Sequence, residues 1–124
     1  MVHALNKGKQ GEREAAKWLH SKFKLESMPY RNLEQTRSGG FDLLGFEPFA
    51  FEIKRCETLS LRSWWRQVVN SLTVDNNLPV VMYRQNRGKW RFLISATYIG
   101  CKNGYIMIEE REFLMFANRV ISGK

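Results

Sequence analysis

The stretch Asp42-Leu43-Leu44-Gly45-Phe46-Glu47-Pro48-Phe49-Ala50-Phe51-Glu52-Ile53-Lys54 decides the fold. It reads as two short strands, residues 42–46 and 49–54, around the turn signal Glu47-Pro48. A hairpin folded about Glu47 sets Asp42 opposite Glu52. Alternation then puts Glu52 and Lys54 on one face of the strand, with Phe51 and Ile53 on the other. Two carboxylates and an ammonium converge at the end of a small sheet. Carboxylate oxygens suit a hard divalent cation such as Mg2+. A lysine beside them stabilises negative charge on a phosphate or orients an attacking water. This is the residue set of metal-dependent phosphodiester hydrolysis. The alternative is an exposed hairpin with charged side chains on its wet face, because an isolated D…ExK pattern recurs by chance.

The chain has 124 residues, enough for one domain with a core and too few for two. Residues 1–124 are therefore read as a single domain. No apolar run reaches the ~18 residues of a membrane span. The opening Met1-Val2-His3-Ala4-Leu5-Asn6-Lys7 has no apolar h-region, so a signal peptide is not expected. Cys56 and Cys101 follow no metal spacing and are expected to be reduced thiols. His3 and His20 are the only histidines, which argues against zinc. Twenty Lys and Arg against twelve Asp and Glu give a formal charge of +8. Such a surface suits a polyanionic partner, although basic charge also aids solubility. No basic amphipathic helix points to a membrane surface.

No repeat or low-complexity linker divides the chain. Ala15, Ala16, Leu19 and Phe23 recur at helical spacing and predict a helix over residues 9–23. Glu12 lies on the same stripe. A carboxylate there is costly unless paired or bound to a cation, or it complements the helix dipole as a first-turn acid. Glu14 falls on another face near Trp18, where the dipole reading is the better one. Residues 28–36 are ambiguous, a strand followed by a loop. Arg37-Ser38-Gly39-Gly40 is a polar approach to Asp42 whose glycines allow close passage of a ligand. Ser60 is the expected N-cap of a helix carrying Leu61, Trp64, Trp65, Val68 and Leu72 on its apolar side, closed by Asp75-Asn76-Asn77. Arg62 and Arg66 lie one turn apart on it. Residues 79–83 read as a buried strand and residues 89–95 as an alternating one after the turn Asn86-Arg87-Gly88. A short strand at residues 106–108 and a helix over residues 110–118 complete the order. The class is α/β, one mixed sheet between helices.

These positions resemble the PD-(D/E)XK nuclease superfamily, and within it the archaeal-type Holliday junction resolvases and their phage relatives. Lys7-Gly8-Lys9-Gln10-Gly11-Glu12-Arg13-Glu14 resembles the family's opening helix, with Glu12 in place of its acidic residue. Phe41-Asp42 with Phe51-Glu52-Ile53-Lys54 matches the active-site hairpin. Trp64-Trp65-Arg66-Gln67 resembles the following helix of the phage members. Leu78-Pro79-Val80-Val81 with Gly88-Lys89-Trp90-Arg91-Phe92 resembles the closing strand pair. Phe41 stands where the superfamily has proline. The family's basic and serine residues upstream of the aspartate fall among Arg31, Arg37 and Ser38. The resemblance covers most of residues 7–95 and leaves 96–124 as a C-terminal extension. It implies a restriction-endonuclease-like core and a phage or prokaryotic setting, hence a cytoplasmic protein.

What the resemblance implies chemically is a Mg2+-dependent endonuclease, with Mn2+ as a substitute. Asp42, Glu52 and the backbone carbonyl of Ile53 hold the ion. Glu12 completes the acidic cluster and recruits a second ion, ~3.5–4 Å away in two-metal sites. Lys54 positions or deprotonates water; as a base it needs a depressed pKa, as a charge stabiliser it does not. Gln67 orients a water or carboxylate, or is a plain surface residue. Lys9, Arg13, Arg37, Ser38, Arg62, Arg66, Arg87 and Lys89 are candidate DNA contacts, which position substrate without reading sequence. The expected substrate is a branched DNA, cut by a homodimer with two opposed sites. Trp64, Trp65, Trp90 and Phe92 belong to the core, or else supply a dimer patch or stack on bases. The alternatives are a nuclease for flaps, nicks or duplex, and a DNA-binding module that does not cut. Nothing in the chain resembles an RNA-recognition signature.

Overall fold

The computed structural model describes residues 4–32, 42–72 and 77–123. Among them, six strands form one sheet in chain order: β1 (Tyr30–Arg31), β2 (Leu43–Leu44), β3 (Phe49–Arg55), β4 (Leu78–Arg84), β5 (Arg91–Ser95) and β6 (Tyr105–Glu109). Only β3 and β4 run parallel; every other neighbouring pair is antiparallel. Helix α1 (Ala4–Phe23) precedes the sheet, α2 (Leu61–Asn70) crosses from β3 to β4, and α3 (Glu110–Ser122) follows β6. A mixed sheet flanked by helices is the α/β arrangement expected.

The expected hairpin is present. Leu43 pairs with Phe51, which centres the connection on Glu47. Gly45 turns the chain there at φ +98°, a conformation L side chains rarely adopt. β3 then runs through the interior of the sheet, and its alternation divides the molecule into layers. Phe49, Phe51 and Ile53 face one core with Ala15, Ala16 and Leu19 of α1 and Phe113 and Ala117 of α3. On the opposite face α2 buries Trp64 and Val68 against Val81, Tyr83 and Leu93. Glu52 pairs with Val81 in the parallel register and Lys54 with Tyr83, so both side chains belong to the α2 face. Pro79 is tolerated in β4 because β5 begins to pair only from Val81 onward, where an N–H is needed.

Several elements differ from the sequence reading. α1 begins at Ala4, so Glu12 and Glu14 lie mid-helix; the dipole explanation offered for both falls away. Ser60 occupies the N-cap position of α2 but its hydroxyl makes no capping bond. α2 ends at Asn70, before Asp75-Asn76-Asn77, where Ser71 Oγ donates to the Val68 carbonyl. α3 is longer than expected, opened by a Glu109/Glu112 capping box and closed at Gly123. Trp64, Trp90 and Phe92 are buried, which removes them from any dimer patch or base stack. Trp65 is half-buried beside Tyr105.

β6 and α3 are integral to this packing. β6 pairs with β5 along its whole length, and Phe113 is fully buried, with ring contacts to Phe23, Phe49, Phe51 and Phe92. Phe113→Ala leaves a cavity beneath β3 and is expected to cost about 3–5 kcal/mol in a denaturant titration. A loss under about 1 kcal/mol is the result that contradicts this packing.

Candidate active site

Asp42 and Glu52 are the two buried acidic residues among those described, at 6% and 3% exposure. The hairpin brings them together at the seam of β2 and β3. The Asp42 N–H donates to the Phe51 carbonyl at 2.8 Å. Its Oδ2 accepts the Ile53 N–H at 2.7 Å, a charge-assisted bond that fixes the carboxylate across the strand pair. Glu52 Oε2 accepts from Gln67 Nε2 at 2.9 Å, whereas Oε1 is buried with no hydrogen-bond partner. Burial pushes the Glu52 carboxyl up to about 8, and the charge of Asp42 adds to this while Lys54 opposes it.

Lys54 leaves β3 on the same face. Its Nζ donates to Gln67 Oε1 at 2.7 Å and lies 3.9 Å from Glu52 Oε2. Gln67 therefore ties both charged groups with one amide, its oxygen to the ammonium and its NH2 to the carboxyl. The packing of α2 on β3 and β4 supplies this placement.

Glu12 approaches from α1. Arg31 of β1 donates to its Oε1 at 2.5 Å. Burial pushes the Glu12 carboxyl up; the Arg31 bond opposes the shift and the charge of Asp42 reinforces it. Glu12 is thus within electrostatic reach of the buried pair but held by a cation. α1 lies unusually close to the sheet here, since a Cβ on Gly11 would sit 2.5 Å from Arg55 Cγ. Glu14 anchors the same helix, accepting from Arg55 at 3.0 Å and lying 3.6 Å from Arg84.

The structure brings Glu12, Asp42, Glu52, Lys54 and Gln67 to one region. The other candidates are dispersed. Arg13 lies exposed on α1, Arg62 and Arg66 on α2, and Arg87 and Lys89 on the β4–β5 turn, while Lys9 is half-buried. Glu57 ties that turn to the end of β3 by accepting the Asn86 N–H at 2.8 Å. Arg37 and Ser38 fall outside the described residues. Arg31 is one of the three residues among which the resemblance places the family's upstream basic and serine positions; Glu14, Arg55 and Arg84 are not among the candidate site residues.

The model of the family described as "Phage putative PDDEXK endonuclease" matches residues 4–118. The chain belongs to this family. Neither the curated proteins nor the solved structures contain a match to it. The match takes in β6 and most of α3 as well as the hairpin. Asp42 and Glu52-Ile53-Lys54 lie within the matched residues.

A PDDEXK site calls for a cation, and the donor chemistry fits one. Asp42 and Glu52 offer hard oxygens, repel each other, and leave Glu52 Oε1 buried without a partner. Among the described residues no group of three or more His, Cys, Asp and Glu is gathered for an ion. Two carboxylates are therefore the protein's share as Glu12 now stands. No helix among the described residues is long and apolar enough to cross a membrane.

The raised Glu52 carboxyl has a consequence for stability. Its folded form holds a proton more tightly than its unfolded form, so its contribution favours folding at acid pH and is lost as pH rises from about 4.5 through about 8. In EDTA, Glu52→Gln is expected to melt on the order of 5 °C above wild type at alkaline pH and to lose that advantage near pH 5. Parallel melting curves across this range contradict a buried, mutually repelling pair.

Proposed function

We propose that this protein is a Mg2+-dependent, structure-selective DNA endonuclease that hydrolyses phosphodiesters at branched DNA, above all at four-way Holliday junctions. The strongest support is the buried Asp42/Glu52 pair, with one oxygen unpartnered, beside an ammonium held by Gln67. Asp42 and Glu52, with the Ile53 carbonyl, would hold the ion, and Mn2+ would substitute for Mg2+. When bound, the ion supplies Lewis acidity toward the phosphate and toward water. The protein's own residues do the rest. Asp42 is fixed by the Ile53 N–H and cannot swing away when substrate enters. Gln67 holds Glu52 Oε2 and turns Lys54 toward the carboxylates. The Lys54 ammonium stabilises charge that grows on the phosphoryl oxygens. Glu12 joins the acidic set from the α1 side. In-line attack leaves a 5′-phosphate.

Lys9, Arg13, Arg37, Ser38, Arg62, Arg66, Arg87 and Lys89 would take backbone phosphates, so affinity would fall steeply with salt. A junction has near two-fold symmetry, and a homodimer presents two sites to match it. The setting that fits is the cytoplasm of a prokaryotic or phage-infected cell.

The test uses a labelled immobile junction and its linear arms, with Mg2+ or EDTA, beside Glu52→Gln. Paired symmetric nicks on the junction alone, lost in EDTA and in the variant, are expected. Equal cutting of every substrate overturns junction selectivity and keeps the nuclease. Tight binding without cutting overturns both in favour of a binding module. Gln67→Ala is expected to cut about 10–100-fold more slowly, as is usual when a ligand loses its orienting partner. An unchanged rate removes Gln67 from the site.

A further inference from the structure

A cavity of about 200 Å³ opens between α1 and β1, lined in part by Leu43, the residue after Asp42. Its wall is mostly apolar, with Ala16, Met28, Pro29 and Leu43, and Arg13, Lys17 and Arg31 border it. Tyr30 stands at its rim, 59% exposed. Glu12 also lines it and is ion-paired there with Arg31. A carboxylate with Asp42 as an electrostatic neighbour is thus held by a guanidinium on the cavity wall, and no three-carboxylate group is gathered among the described residues.

We propose that Arg31, at the edge of this cavity, takes a backbone phosphate of the DNA strand beside the cut in exchange for Glu12, freeing Glu12 to join Asp42 and Glu52 around the cation. The inference deepens the nuclease reading and rests on it. A phosphodiester carries the same single negative charge as a carboxylate and accepts the same forked donors, so Arg31 stays neutralised throughout. Arg13 and Lys17, both exposed, draw the strand to the opening. Freed Glu12 is unfavourable beside two carboxylates alone and favourable once a cation is among them. DNA and ion therefore strengthen each other's binding. Arg31 is a positioning residue in this scheme, acting on the ion through Glu12.

Mn2+ binding to the whole chain is measured by electron paramagnetic resonance of the free ion, with and without an immobile four-way junction, corrected for ion held by DNA alone. DNA binding is measured separately in EDTA by fluorescence anisotropy across a salt series. The junction is expected to tighten Mn2+ binding to wild type about tenfold, within the usual range of such couplings. Arg31→Gln is expected to bind Mn2+ about tenfold more tightly than wild type without DNA, to gain less than about twofold from the junction, and to lose about 0.9 from the salt slope. Arg31→Lys keeps the charge without the fork and is expected to fall between the two. A cooperative melt for each variant establishes folding. If wild type binds Mn2+ and DNA but Arg31→Gln and Arg31→Lys leave Mn2+ affinity unchanged or lower, the exchange is overturned and the nuclease reading stands. If wild type binds neither, both are overturned.

Discussion

Two carboxylates buried side by side at the seam of β2 and β3 set the terms for everything around them. Taking like charges out of water is costly, and their repulsion raises the cost. The structure answers with fixed donors. The Ile53 N–H holds Asp42, and Gln67 holds Glu52 while presenting its other end to Lys54. These donors need a rigid base. β3 provides it, paired on both edges and buried on both faces over most of its length. The cores on either face are in this sense the support of the site.

The two faces of the sheet contribute differently. α2 is joined to the carboxylates by a neutral amide, which can serve an acid and an ammonium at once. Neither a glutamate nor a lysine at position 67 has both a donor and an acceptor in their ordinary charge states. α1 is joined to the sheet by ion pairs, Glu12 with Arg31 and Glu14 with Arg55 and Arg84. Ion pairs exchange partners with an incoming polyanion more readily than a neutral amide does, which is why the exchange proposed above is placed on the α1 side.

The hairpin was legible because two local signals agreed: a turn residue pair and period-two alternation on either side. They fix which residues share a face and therefore which acids meet. The same local logic placed Glu12 on the apolar stripe of α1. It failed where the answer lay in packing between elements. Gln67 was left undecided because its partners are set by how α2 lies on β3 and β4. Arg31 stays one of three upstream alternatives because a two-residue strand has too little periodicity to place it. Glu14 reads as a partner of the helix dipole because nothing local announces Arg55 and Arg84 beneath it. Ser60 had the right position and no bond, since a capping hydroxyl also depends on the backbone that leads into it. Phe113 and Ala117 reach the core from a segment without a distinctive motif, by helical spacing alone.

The close approach at Gly11 has a mechanical meaning. Electrostatics would drive Glu12 away from Asp42 and Glu52, so attraction between these groups cannot be what stations it there. The Arg31 guanidinium holds its carboxylate, and steric registration at Gly11 seats the helix that carries it. The stem of Arg55 fills the notch left by the missing side chain, so a side chain at position 11 would have to displace it. The notch acts as a detent that helps seat the helix on the sheet, and the acid on the next residue owes part of its position to a space too small for a methyl group.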